Sequence, residues 1–399
     1  MNTTVASAHL DYAQHQSLRL LPATVGFYFA FRYCLSYLFF QSDPRLGAAV
    51  SVGLNLLVCA IVVFHSLGPS PNTMRSAVYM PCFRWVIAFL TLSLVSLLWS
   101  VTVSASVALG YWSGMAADVA MIVMLLRTGP LAGMGLDLMK GYVYGACCIA
   151  IITWLSPTMP DLRPGNDDFF SPNAVALILA FGAFLAQYVS ITRRSSHFAT
   201  IFLAITLLRM LSKSTIVAFV AGQALILMRD RAISRRRVLA IVGASCAVIA
   251  GFWTLISAYF EIYTTTGNQA ETLTGRLGIW SYVLDRSFEQ PWIGHGFHSF
   301  RNVIPAFGTF EPWHAHNELI QLFYAYGVVG IFLFVAIHGS FFQQLRRLPR
   351  SPRQALFLGL LLFILIRGLA DTDRFDLTFP LWCITLVSSL LMPQKDGLV

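Results

Sequence analysis

The sequence predicts an all-α polytopic membrane protein, with about twelve transmembrane helices and one long external loop at about residues 259–316 that contains short helices. Three observations predict it. Of 399 residues, 57% are hydrophobic and 11% charged, against roughly 45–50% and about 25% in soluble domains. Apolar runs recur along the whole chain, many of them near the roughly 17–25 residues that cross a hydrocarbon layer. Lysines and arginines cluster between those runs and alternate sides as the positive-inside rule requires. Fibrous, disordered, disulfide-scaffold and ordinary soluble classes are thereby excluded. The net charge of +9 follows from the loop clusters and gives no reason to expect nucleic acid. Cys34, Cys59, Cys82, Cys147, Cys148, Cys246 and Cys383 show no metal-site spacing and read as small buried side chains.

The segment up to Arg19 is followed by an apolar run without a small-residue cleavage site, so that run is expected to be a retained first helix. The runs lie near 21–40, 47–67, 85–103, 106–126, 141–157, 174–192, 196–211, 214–228, 238–258, 317–341, 355–370 and 377–392. With both termini cytoplasmic, Arg75, Arg84, Arg127, Lys140, Arg193, Arg194, Arg229, Arg231, Arg346, Arg347 and Lys395 fall inside. The acids Asp161, Asp167, Asp168, Glu261, Glu271, Asp285, Glu289, Glu311, Asp371, Asp373 and Asp376 fall outside. Residues 1–258 then hold nine helices, 259–316 the external loop, and 317–399 three more helices.

Both flanks of 195–228 are basic, so the chain between them must cross twice, and at about 1.5 Å per residue it barely can. The turn is expected at Arg209–Ser214. It brings Arg209 and Lys213, with Ser212 and Ser214, to the outer end of a hairpin and suits an anion. Within the long loop, Thr272–Phe288 is expected to be helical, with Leu273, Leu277, Trp280 and Leu284 on one face. Asp118 lies mid-helix, which is costly in lipid, and no partner is evident for it. Arg367, Asp371, Asp373 and Arg374 read as a structural ion-pair cluster, Asn173 as a helix cap, and Gly294–Gly296 as a tight turn.

Thr274-Gly275-Arg276, Ile279-Trp280, Pro291-Trp292-Ile293-Gly294-His295-Gly296, His316-Asn317, Gln321 and Gly327-Val328-Val329-Gly330 occur in that order. Upstream stand Leu97-Leu98-Trp99-Ser100, Asn173 and the serine-flanked Lys213. This ordered set resembles the O-antigen ligase and Wzy-type polysaccharide polymerase superfamily. Many members carry Arg where this chain has Lys213 and Glu where it has Tyr326.

The resemblance implies metal-independent, inverting glycosyl transfer at the periplasmic face of a bacterial inner membrane, without a cofactor. The donor would be an undecaprenyl-pyrophosphate-linked oligosaccharide and the acceptor a glycan or glycolipid. Arg276 and His316 are the implied catalytic residues. Guanidinium and ammonium groups neutralise a pyrophosphate leaving group, and an imidazole takes the acceptor proton. Arg209, Lys213, Asn317, Gln321, Arg301 and His314 are the implied substrate-binding residues. Polymerisation of exopolysaccharide or capsule repeat units is the reading placed first, with a flippase and chain-length or export proteins as partners. Ligation of O-antigen onto lipid A–core is the alternative. Polysaccharide export or transport is a third reading, weakened because the two halves show no repeat. For each residue a plain reading stands beside the functional one: snorkelling for Arg209 and Lys213, a surface ion pair for Arg276 with Glu271 or Asp285, and an interfacial position for His316. Trp280, Trp292 and Trp313 read first as interface anchors.

Overall fold

The computed structural model describes residues 20–35, 38–39, 44–67, 80–165, 170–193, 197–229, 234–265, 273–301, 303–307, 311–372 and 379–392. Arg19, Arg75, Asp167, Asp168, Arg194, Arg231, Glu271, Asp373, Arg374, Asp376 and Lys395 lie outside the described residues.

Among the described residues each predicted apolar run is helical, the run at 238–258 as two helices. The helices are α1 (Leu20–Leu35), α2 (Pro44–Ser66), α3 (Phe83–Val95, extended by a 3-10 turn), α4 (Ala105–Leu125), α5 (Leu131–Leu155), α6 (Pro172–Arg193) and α7 (Phe198–Arg209). They continue with α8 (Lys213–Arg229), α9 (Arg235–Gly251), α10 (Trp253–Thr265), the loop helix α11 (Leu273–Ser287), α12 (Glu318–Arg347), α13 (Pro352–Gly368) and α14 (Phe379–Leu390). No strand is present among the described residues. The chain is a multi-pass membrane protein. Among the described residues, five helices (α2, α4, α5, α6 and α12) are long and apolar enough to cross a membrane, and α9 with α10, bent by 55°, makes six if the pair is one span. Helix length and composition among these residues thus support five or six of the twelve expected crossings; α7, with 12 residues, reaches about 18 Å. Helix α5 begins ten residues before its expected start because Asp137 and Lys140, which interrupt the apolar run, pair one turn apart at 3.0 Å. Helix α10 runs past residue 258, so the long connection is shorter than expected.

In lipid, helix association depends on close packing, since water supplies no driving force there. The α1–α5 crossing shows this: a Cβ at Gly26 would sit 1.9 Å from the Leu138 carbonyl oxygen, and one at Gly141 1.8 Å from that of Ala23. Asp118 has a partner after all. Arg32 binds it through both guanidinium nitrogens at 2.7 and 2.6 Å, and the Asn55 amide donates to it at 3.0 Å.

Helix α12 is broken at Gly327 (φ 60°, ψ −153°). The break frees backbone groups that lipid cannot satisfy, and the turn at 291–296 supplies their partners. His295 and Gly296 donate to the Tyr324 and Ala325 carbonyls, while Val328 donates to that of Pro291. The sequence block Pro291–Gly296 is thus a brace for the broken helix. Gly294 and Gly296 have φ of 63° and 90°, the turn that was expected. Tyr326 packs edge-on against Phe89 and donates its hydroxyl proton to Ser93 at 3.1 Å.

Candidate functional site

Helices α12 and α13 meet where one begins and the other ends. Asn317 caps the start of α12, its Oδ1 accepting from the Leu319 and Ile320 amides at 3.0 and 3.1 Å. Its Nδ2 donates across to the Leu369 carbonyl at the end of α13, at 2.9 Å. Gln321, one turn along α12, accepts from the Ala315 amide at 2.8 Å, and Trp280 of α11 donates to the Ala315 carbonyl at 2.7 Å. Asn317, Gln321 and Trp280 therefore hold the 314–316 segment in place. None of the three lines the cavity described below. His316 itself takes a left-handed backbone, φ 52°.

So held, the His316 Nδ1 lies 3.4 Å from Oδ1 of Asp371, and the His314 ring meets the His316 ring edge-on at 4.1 Å. Asp371 is only 4% exposed, and its other oxygen accepts from Arg367, one helical turn earlier, at 3.0 Å. Burial by itself raises the Asp371 carboxyl. The Arg367 guanidinium and the His316 and His314 rings together outweigh it and hold the group well below the usual carboxylate range. Of the expected cluster at 367–374, the described residues form one ion pair, Arg367 with Asp371. Arg367, Asp371, His314 and His316 all line one cavity of about 100 Å³. Its far side comes from α1 and α6, through Arg32, Tyr33 and Asn173.

The short hairpin reaches the same end of the bundle. Ser212, at its turn, donates to Oδ1 of Asn173 at 2.8 Å, so Asn173 links the hairpin to the cavity and is not the cap of α6. Arg209 donates to the Leu162 carbonyl at 2.9 Å, and Lys213 lies 5.2 Å above the Tyr259 ring. Arg276 donates to the Ala370 carbonyl at 2.5 Å, just past the end of α13 and next to Asp371. A cation there caps the carbonyl end of a helix, and this contact takes the place of the surface pairing with Asp285. The Arg276 Nε has no hydrogen-bond partner among the described residues. Arg209, Lys213 and Arg276 stand around the cavity without lining it.

The remaining candidates separate from it. Arg301 stacks on Trp313 at 4.2 Å and donates to the Tyr111 hydroxyl at 3.0 Å. His298 bonds Thr102 at 3.0 Å and His295 the Arg286 carbonyl at 2.9 Å. Of the loop histidines, then, His314 and His316 alone line the cavity. On α11 the buried face is also shifted: Ile279 and Val283 are buried against Phe300 and Ile304, whereas Leu277 is 53% exposed. Sequence reasoning passed over Asp371 and Arg32 as site residues. No local motif marks either; each is brought to the cavity by helix pairing alone.

Residues 198–335 match the family model Wzy_C, described as O-Antigen ligase. The resemblance to the O-antigen ligase and Wzy-type superfamily holds. The matched stretch contains the hairpin, α11, His314, His316 and the break in α12. An O-antigen ligase of Pseudomonas aeruginosa is 28% identical over 38% of this chain and 34% of its own length. A Rickettsia conorii protein named as a polysaccharide ligase is 22% identical over 30% of this chain and 32% of its own. The matched segment thus spans about a third of the length of these curated relatives.

Proposed function

We propose that the chain is a membrane glycosyltransferase of the ligase type, which moves a glycan from undecaprenyl pyrophosphate onto a glycan or glycolipid acceptor at the periplasmic face of the inner membrane. The observation that carries this is His316 on the cavity wall, backed by Asp371, with Arg276 fixed to the same helix end. His316 takes the acceptor hydroxyl proton as that oxygen attacks the anomeric carbon. The bond from that carbon to the pyrophosphate oxygen breaks, the carbon inverts, and the lipid pyrophosphate leaves. Asp371 orients the imidazole and balances its charge once protonated. Arg276 and Lys213 supply positive charge where the leaving pyrophosphate develops its own. Arg209 is a weaker candidate for that task, because Leu162 already engages it.

The residue pattern alone favours repeat-unit polymerisation; the names of the relatives put ligation ahead of it. The polymerase reading uses the same groups with a carrier-linked chain as acceptor. Transport is disfavoured, because the ionisable cluster gathers at one end of the bundle, around helix termini. The test is to incubate purified protein with a lipid-linked oligosaccharide and either a lipid A–core acceptor or the donor alone. Transfer to the glycolipid supports ligation. Lengthening of the donor without it overturns ligation in favour of polymerisation, and neither product overturns both.

A further inference from the structure

We propose that His314, His316 and Asp371 also form a binding site for a borderline divalent cation of the zinc class, and that its occupancy switches transfer off. Among the described residues these three make a group whose ligand atoms, one from each side chain, lie within 4.8 Å of one another. A metal with bonds of about 2.0–2.2 Å to nitrogen and oxygen draws such atoms together by roughly an ångström. The imidazole of His314 is half-buried and borders the cavity. The group lines a cavity of about 100 Å³, so water or an anion can fill the open coordination position.

The neighbours decide which cations fit. Arg367 holds one oxygen of Asp371 at 3.0 Å, while Oδ1, the oxygen nearer His316, accepts from the Thr372 amide at 3.0 Å and has its second lone pair for a ligand on the histidine side. A hydrogen bond to the second oxygen is how ligating carboxylates are usually oriented. Magnesium and calcium need six or more oxygens, and this cluster offers one carboxylate, already shared with a guanidinium. Two neutral imidazoles instead suit zinc or cobalt, which bind nitrogen well. The switching half rests on the reading of His316 as the base: a metal on its ring takes the lone pair that the acceptor proton needs. The cation is thus an inhibitor, compatible with chemistry that uses no metal.

The experiment uses full-length protein in detergent micelles, in a Cys246→Ser background because that thiol is exposed. Cobalt(II) binding is read from its visible absorption, and zinc by competition with a chromogenic chelator. One equivalent should bind, at least tenfold more weakly in His314→Ala and in Asp371→Asn, with no competition from millimolar magnesium. Transfer by the parent protein should fall with the same half-saturation and return on adding a chelator. Binding unchanged in both variants, or no binding at all, overturns the site. Binding that depends on His314 but leaves transfer untouched keeps the site and overturns the role of His316 as base, so the two claims fail separately.

Discussion

At His316 two demands meet, a left-handed backbone and a ring that must face the cavity. Asparagine tolerates that backbone best among non-glycine residues and cannot act as a base. His316→Asn should therefore fold normally and lose transfer by roughly 10²–10⁴-fold, the range for a general base; kcat with a lipid-linked donor measures it. Asp371→Asn, which removes the group that orients and balances the imidazole, should lose up to about 10⁴-fold. Asp371 also predicts a pH response. Its carboxyl is held low in the folded state, so its stabilisation is complete above the unfolded value of about 3.9 and is lost only as pH falls below that. The thermal midpoint of the parent should exceed that of Asp371→Asn by a constant margin from neutral pH to about 5 and converge in stronger acid. His316 and Arg276 could be nominated from the sequence because short motifs surround them. Asp371 could not, since its significance depends on the end of α13 lying beside the start of α12, which no local pattern reports.

Among the elements, the helices themselves were legible from apolar runs, because lipid leaves the backbone few other ways to satisfy its polar groups. Their faces and breaks were less so. Helix α11 turns Ile279 and Val283 inward because Phe300, Ile304 and Tyr324 form the surface it meets, and that surface comes from distant sequence. The break in α12 is a similar case. Gly327 reads as one glycine in an apolar run, yet a Cβ there would lie 2.4 Å from the Pro291 carbonyl oxygen, on a backbone with φ 60°. Gly327→Ala should cost at least about 1–3 kcal/mol from strain alone and lower the thermal midpoint in detergent. It should also loosen the brace at 291–296, so protease cleavage in residues 288–316 should quicken; unchanged cleavage would count against that role for the brace.

For the whole molecule, helix pairing gathers α1, α6, the α7–α8 turn, α11 and the α12–α13 junction at one end. The orientation proposed from the positive-inside pattern has that end outside. Single cysteines introduced at Asp161 and Glu311 should accordingly react with a membrane-impermeant thiol reagent in intact cells once the outer membrane is permeabilised. A cysteine at Arg350 should not. Protection at both acid positions would invert the topology. The grouping at one end was foreseeable from the charge pattern; the order of ligase and polymerase was not, because both acceptors present a hydroxyl to the same groups.

The most direct measurement is single-turnover transfer by purified protein from a lipid-linked oligosaccharide, comparing the parent with His316→Asn and Arg276→Ala. A glycosidic product of inverted configuration from the parent, with loss of at least a hundredfold in His316→Asn and a large loss in Arg276→Ala, is the predicted result. Folded variants that transfer at the parent's rate would contradict the assignment of this cavity as the site of reaction.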